Sequence, residues 1–484
     1  SQVTAELALD AGGRFLAMRV QSIGNMGAWL TPMGPHIQTV NILKNLPGPY
    51  RTPQLLVEAR CVFTNTTPIG PYRGAGRPEG VYIRERLIDE AARETGRDPV
   101  ELRRRNVIAP SELPFPAPTG QTYDSGEFET VLDRALALGD WSNFEARRAE
   151  SASRGRLRGR GVSLYLEVTA PVGKEMGGLC FGPGGAVTIV TGTKDFGQGH
   201  HAAFAQIVST VLGVPFDCID LVQGDSARLL HGGGTGGSRS IMASGTALLA
   251  AADGVIAKGR KIASHLLEAA AEDIEFADGR FRVAGTDRSL SLNEIVIHTL
   301  AGGLPETLPQ SLDSELVVDT PPSAFPNGCH VCEVEVDPGT GRVTVDRYAV
   351  IDDFGTLINP MLVEGQIHGG IAQGVGQAMS ENVVYDEDGQ LLTGSFMDYG
   401  LPRADDLPTF DLEFHPVPTR ANALGAKGCG EAGVTGALPA IVNAIADVLA
   451  RAGVPPIDMP ATPERVWRAL TRLPQTANDT RHNG

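Results

Sequence analysis

Aromatic side chains are scarce in this sequence, at 6% of residues, which removes the stacking platform that single-stranded nucleic acid needs. Basic residues are also short. Lys and Arg number 41 against 57 Asp and Glu, and the formal charge of −16 opposes nucleic acid and anionic membrane surfaces as partners. The six cysteines, Cys61, Cys180, Cys218, Cys329, Cys332 and Cys429, follow no framework spacing. They fit a reducing compartment, so a cytoplasmic location is expected. No uninterrupted apolar run reaches the ~18 residues of a membrane span, and no export signal opens the chain. Nucleotide signatures are missing: neither G-x-x-x-x-G-K-[ST] nor a G-x-G-x-x-G opening a βαβ unit occurs, which weakens ATP and NAD as ligands. There is no H-E-x-x-H and no G-x-S-x-G elbow, so Ser238 in "GGSRS" makes a serine hydrolase the minor reading.

What is abundant is glycine. The chain holds 59 among 484 residues, where average usage predicts roughly 34, and they cluster in stretches such as "LLHGGGTGGSRS" and "GQIHGGIAQGVGQ". The length predicts two to four domains, and 42% apolar with 20% charged residues describes a folded chain with a large core. Strand-like alternation begins at Ser1, as though inside a domain, so a longer polypeptide or a companion chain is expected to supply a missing N-terminal half. Further on, a loop feeds a helical pattern that stops at Gly96. The stretch from about Pro110 to Gly161, Pro-rich and then basic, has the look of a surface linker. A boundary is placed there, giving domains 1–140 and 141–484. Two units of strand, Gly-rich turn and helix follow, then a hairpin and a final helix, so the fold class is α+β with mixed sheets and helices.

Four glycine-rich turns, 70–80, 192–200, 231–240 and 425–436, precede helices. Their N–H groups suit an anionic or strongly hydrogen-bonding ligand. Any one is ordinary turn chemistry, but four together point to a large polar cofactor. Among the other groups, adjacent His200 and His201 cannot share a helix face and are read as one capping contact and one exposed ring. Cys329 and Cys332 in "CHVC" lie in an alternating hairpin and should point to opposite faces of one strand. No protein metal ligand is assigned. Glu431, among glycines ahead of an apolar helix pattern, reads either as a helix-start carboxylate favoured by the macrodipole or as a ligand-facing group.

In order along the chain, "PYRGAGRPEG", "GTKDFGQGHHAAFAQI", "GGGTGGSRS", "FGTLINPMLVEGQIHGG", "FMDYGLP" and "GAKGCGEAGVTG" resemble motifs of the large, molybdenum-cofactor-binding subunit of the xanthine oxidase family of molybdenum hydroxylases. The resemblance covers nearly the whole chain and looks closest to the carbon monoxide dehydrogenase large chain and its relatives acting on aldehydes and N-heterocycles. It implies two molybdenum-cofactor-binding domains, the first truncated. Glu431, in the "KGxGE" motif, is implied to be the general base that deprotonates the oxygen attacking an electron-poor substrate carbon, a task suited to a carboxylate tuned by burial and neighbours. Phe196, Gly197 and Gln198 match a pterin-binding loop, and Gln366 matches a second pterin-contacting glutamine. Arg73 and Gly74 match the loop beside the molybdenum, Ser240 and Ser244 the segment wrapping the pterin and its phosphate tail, and Gly430 the glycine before the base. The implied cofactor is molybdopterin, its cytosine dinucleotide form included, with Fe-S clusters and FAD on an iron-sulfur subunit and an FAD subunit as partners.

Departures from the family pattern bear on substrate. Carbon monoxide dehydrogenases carry a copper-binding cysteine where Gly74 stands, and purine-oxidising relatives a phenylalanine where Ala75 stands. An aldehyde or substituted N-heterocycle is therefore expected. The "GGxFG" motif of the first cofactor loop does not occur, so the chain is expected to hold part of the pocket and not to bind the cofactor fully alone. The rival from another class is a non-catalytic scaffold or assembly protein that keeps the fold without the cofactor.

Overall fold

The computed structural model describes residues 1–171 and 173–471. Strands β1 (Gln2–Leu9) and β2 (Phe15–Asn25) pair antiparallel, and β3 (Gln54–Val62) lies parallel to β2. Met18 and Val20 of β2 pack with Ile42, Leu46 and Ile83, the last from α1 (Arg77–Thr95). Helix α1 stops at Gly96, as its position predicts, with φ of +64° and an amide that caps the carbonyls of Ala92 and Arg93. Helix α2 (Pro99–Asn106) starts on Asp98, whose carboxylate accepts the N–H of Val100 and Glu101 at 2.8 and 3.0 Å.

The stretch that looks like a linker is instead built structure. It forms α3 (Phe128–Leu138), α4 (Phe144–Ser153) and the first half of β4 (Leu157–Leu166). Phe128, Val131, Leu132 and Ala135 supply a helical apolar stripe that is fully buried. Part of the basic run is neutralised by acids distant in sequence: Arg147 and Arg158 reach the Glu333 carboxylate at 2.5 and 2.7 Å, and the more exposed Arg154 reaches Glu335 at 2.5 Å. Local composition cannot show partners that lie so far along the chain.

The two strand, turn and helix units appear as expected. After β5 (Lys174–Phe181), β6 (Val187–Thr191) leads to α5 (His200–Leu212), and β7 (Ile219–Val222) leads to α6 (Ser240–Leu266). With β8 (Ser314–Asp319) these strands make a four-stranded sheet in the order β8-β5-β6-β7, in which β6 and β7 run parallel. The hairpin is β9 (Asn327–Val336) and β10 (Val343–Asp353); a helix, α7 (Pro360–Met379), precedes β11 (Phe410–Phe414) and the final long helix α8 (Ala432–Arg451). The second four-stranded sheet has the order β11-β10-β9-β4. Cys329 and Cys332 project into different cores on its two faces. The architecture is α+β, with parallel and antiparallel pairings in the larger sheets.

Part of the glycine excess is packing rather than ligand chemistry. A Cβ at Gly161 would stand 2.1 Å from the Ala440 carbonyl, so β4 can lie against α8 only without a side chain there. Gly370 and Gly374 of α7 likewise meet Gly433 and Ala437 of α8. Helices α6 and α8 are long and apolar enough to cross a membrane by length and composition, which uninterrupted-run counting misses because isolated polar residues break a run without making a helix polar. In α8, 94% of the most apolar window is buried inside the protein; it is the helix around which this core is built.

Candidate active site

All four glycine-rich turns converge. Turns 192–200, 231–240 and 425–436 line one cavity of about 690 Å³, closed by Phe354 to Asn359 and by α7, and turn 70–80 contributes Arg73 to its wall. Glu431 lies on that wall at the N-terminus of α8. Its carboxylate does not cap the helix. Instead Oε1 accepts the Gly74 N–H at 3.1 Å, while Oε2 accepts the Ser238 hydroxyl at 3.4 Å and faces Arg77 Nη1 at 3.2 Å. The Glu431 N–H donates to Ser238 Oγ at 2.9 Å, so one serine holds both ends of the residue. The group is fixed by two separate chain segments, 70–80 and 231–240, and its side chain is still 13% exposed.

Arg77 and Glu167 escaped the sequence reading, and Ser238 entered it only as the serine of the minor hydrolase reading. Arg77, itself 3% exposed, is anchored by the carbonyls of Val168 and Gly74, each at 3.0 Å, and faces Glu167 Oε1 at 3.5 Å on its other side. Glu167 is fully buried, and neither carboxyl oxygen is hydrogen-bonded. Burial, with the Glu431 charge adding to it and Arg77 and Ser238 opposing, pushes its carboxyl up to about 8. A charged residue interrupting the apolar stretch "SLYLEV" was the available signal for Glu167. Ser238 has φ of +54°, which no sequence pattern announces.

Arg73 is a clamp rather than a surface cation. Its guanidinium donates to the Gly430 carbonyl at 2.5 Å, to the Gln366 backbone and side-chain oxygens at 3.0 and 2.8 Å, and to Gln373 at 3.3 Å. It ties the segment before Glu431 to α7. Gln366 therefore has its side-chain oxygen occupied while its amide nitrogen stays available on the cavity lining. Gln198 turns its oxygen back onto the Phe196 N–H, and Phe196 is 70% exposed. Ser240 lines the cavity and bonds Thr235 at 3.1 Å, but Ser244 does not line it: it is fully buried one turn further into α6, bonded to Thr193. Neither histidine ring caps α5. Asp195 does so, accepting the N–H groups of Gly197, Gln198 and His200 at 2.6, 2.7 and 2.9 Å. Burial works against its charge, but these donors prevail and hold the carboxyl below the usual range. His200 is buried against Phe204, while exposed His201 bonds the Ile219 carbonyl. Cys429 also lines the cavity; burial pushes its thiol up to about 12, far from thiolate chemistry.

Gly74 has φ of +100°, and a Cβ there would stand 2.4 Å from the Pro78 ring. Any side chain, cysteine included, must displace the start of α1. Gly74→Ala is expected to cost about 1–3 kcal/mol in urea unfolding, from backbone strain alone, and to weaken the amide contact to Glu431.

Residues 1–107 and residues 134–408 each match a model described as molybdopterin cofactor-binding domain. The chain belongs to the molybdopterin cofactor-binding family. It is 34% identical to the carbon monoxide dehydrogenase large chain of Hydrogenophaga pseudoflava, over 96% of this chain and 60% of that one. It is equally 34% identical to the nicotine 6-hydroxylase large subunit of Paenarthrobacter nicotinovorans, over 96% and 59%. Among solved structures, quinoline 2-oxidoreductase from Pseudomonas putida 86 superposes with a TM-score of 0.90 at 35% identity, covering 98% of this chain and 62% of that one. This molybdopterin-binding chain thus spans about three fifths of the length of these relatives.

The cavity fits such a cofactor. Among the described residues, the backbone N–H groups of Gly236, Gly237 and Ser238, and of Gly428, Cys429 and Gly430, have no protein acceptor, and all six residues line the cavity. A pterin edge and a phosphate tail are rich in acceptors that such groups would satisfy. The turn at 192–200 contributes less than expected, because Asp195 already takes three of its amides.

Proposed function

We propose that this chain is the cofactor-binding part of a molybdenum hydroxylase that inserts a water-derived oxygen at an electron-poor carbon of an aldehyde or N-heterocycle. The observation that carries the reading is Glu431: a carboxylate fixed by Gly74, Ser238 and Arg77 on the wall of a cavity lined by acceptor-free amides. Gln198, Gln366, Ser240 and the amides of turns 231–240 and 425–436 would hold the group. When bound, the molybdenum cofactor supplies the oxygen-transfer and two-electron redox chemistry. The chain's own contribution is to orient the substrate carbon in the cavity and to take a proton onto Glu431 as the attacking oxygen bonds to carbon. Electrons then leave to an iron-sulfur subunit and an FAD subunit. Gly74, standing where carbon monoxide dehydrogenases carry the copper-binding cysteine, supports a substrate other than carbon monoxide.

The test is metal analysis of the complex purified with its native neighbours, together with turnover of a panel of aldehydes and N-heterocycles by wild type and Glu431→Gln, using an artificial electron acceptor. Bound molybdenum with turnover lost in the variant supports the proposal. A wild type without molybdenum, or a variant that turns over equally well, returns the protein to the scaffold reading or to another base.

A further inference from the structure

Two carboxyl groups and one guanidinium form a buried line behind the cavity. Glu167, Arg77 and Glu431 come from the segment just after β4, the start of α1 and the N-terminus of α8, and Arg77 stands between the two acids at 3.5 and 3.2 Å. Only Glu431 reaches the cavity. Among the described residues Arg77 is the one cation at ion-pair distance from either carboxyl, and a buried charge that shares its counter-ion is expensive. Neither Glu167 oxygen has a hydrogen bond that would stabilise the ionised form. Resting on the reading of Glu431 as the base, we infer that Glu167 is a positioning residue whose resident proton leaves Arg77 committed to Glu431, holding the base aimed at the cavity.

The groups facing Glu167 are Arg77, Arg73, Glu431, Ser238, Cys429 and Tyr165. Burial is the largest influence and the Glu431 charge acts in the same direction, so the Glu167 proton is present below about pH 8 and is lost above it. Once it leaves to solvent, two carboxylates share Arg77 and its hold on Glu431 weakens. Glu167→Gln imitates the protonated form. It should therefore keep turnover at neutral pH while removing the inflection near pH 8 that the wild-type kcat/KM profile carries.

The direct readout is infrared titration of the carboxylic-acid carbonyl band in the purified complex, which requires no turnover. Wild type should lose a band near pH 8. Glu167→Gln should lack that band throughout, and Glu431→Gln should lose it at lower pH, by about one pH unit, because a like charge has been removed. Should Glu167→Gln fail to fold, the wild-type and Glu431→Gln titrations carry the test by themselves. A missing band, or a midpoint unmoved by Glu431→Gln, overturns the inference. Full turnover by Glu431→Gln with the band behaving as described overturns the base assignment instead, so the two failures are distinct.

Discussion

Glu431→Gln lowers kcat/KM by about 10²- to 10⁴-fold, the usual contribution of a positioned general base, and leaves the molybdenum content of the complex unchanged. The substitution keeps shape. The side-chain oxygen of glutamine can still accept the Gly74 amide, and the Ser238 hydroxyl remains in reach of the amide group, so the turn and α8 stay in place. What disappears is the capacity to accept a proton and the charge that Arg77 faces at 3.2 Å. Because the loss falls on the reacting step, it should appear mainly in kcat, with KM changed little. A variant that lost molybdenum as well would instead show Glu431 to be part of the cofactor cradle. Glu431→Ala would be a poorer choice, since it also removes the acceptor of the Gly74 amide and the Ser238 hydroxyl and so mixes stability with chemistry.

Much of this site was legible because its parts are short and local. Each of the four turns carries its own glycine pattern, and each motif fits within about a dozen residues, so Glu431, Arg73, Gln198 and Gln366 could be named before any fold was known. What could not be read is how those parts meet. Arg73 touches Gln366 and Gly430 from almost three hundred residues away or more, and Arg77 pairs with Glu431 only because α1 and α8 pack together. Ser238 reaches Glu431 through a left-handed backbone conformation in a non-glycine residue, a choice imposed by tertiary contacts and absent from propensity. The same limit explains the stretch 110–161: its arginines looked solvated because Glu333 and Glu335, their partners, lie on another strand. Ser244 shows the converse error, for it shares the chemistry and neighbourhood of Ser240, but one helical turn carries it from the cavity into the core.

The largest stability effect should come from a residue that never touches the cavity with its charge. Lys427 and Asp353 are both fully buried, and the ammonium lies 2.6 Å from the carboxylate. Asp353 also accepts the Asn327 side-chain amide at 3.0 Å and the backbone N–H groups of Gly355 and Val417 at 2.8 and 2.9 Å. It thereby collects the hairpin, the turn after β10 and the segment after β11 around one charge, and Lys427 fastens the turn carrying Gly428 to Glu431 to that hub. Lys427→Met leaves the carboxylate buried without its counter-ion, which should cost about 3–5 kcal/mol and lower the urea midpoint correspondingly. Adding Asp353→Asn removes the orphaned charge while keeping an oxygen for the two backbone donors, so the double variant should recover a large part of that loss. Recovery separates the charge effect from simple loss of packing, which a second substitution would not repair. Activity should follow a different course: the double variant regains stability, yet the Gly428 to Glu431 turn has lost its side-chain anchor to Asp353, and kcat/KM should stay below wild type.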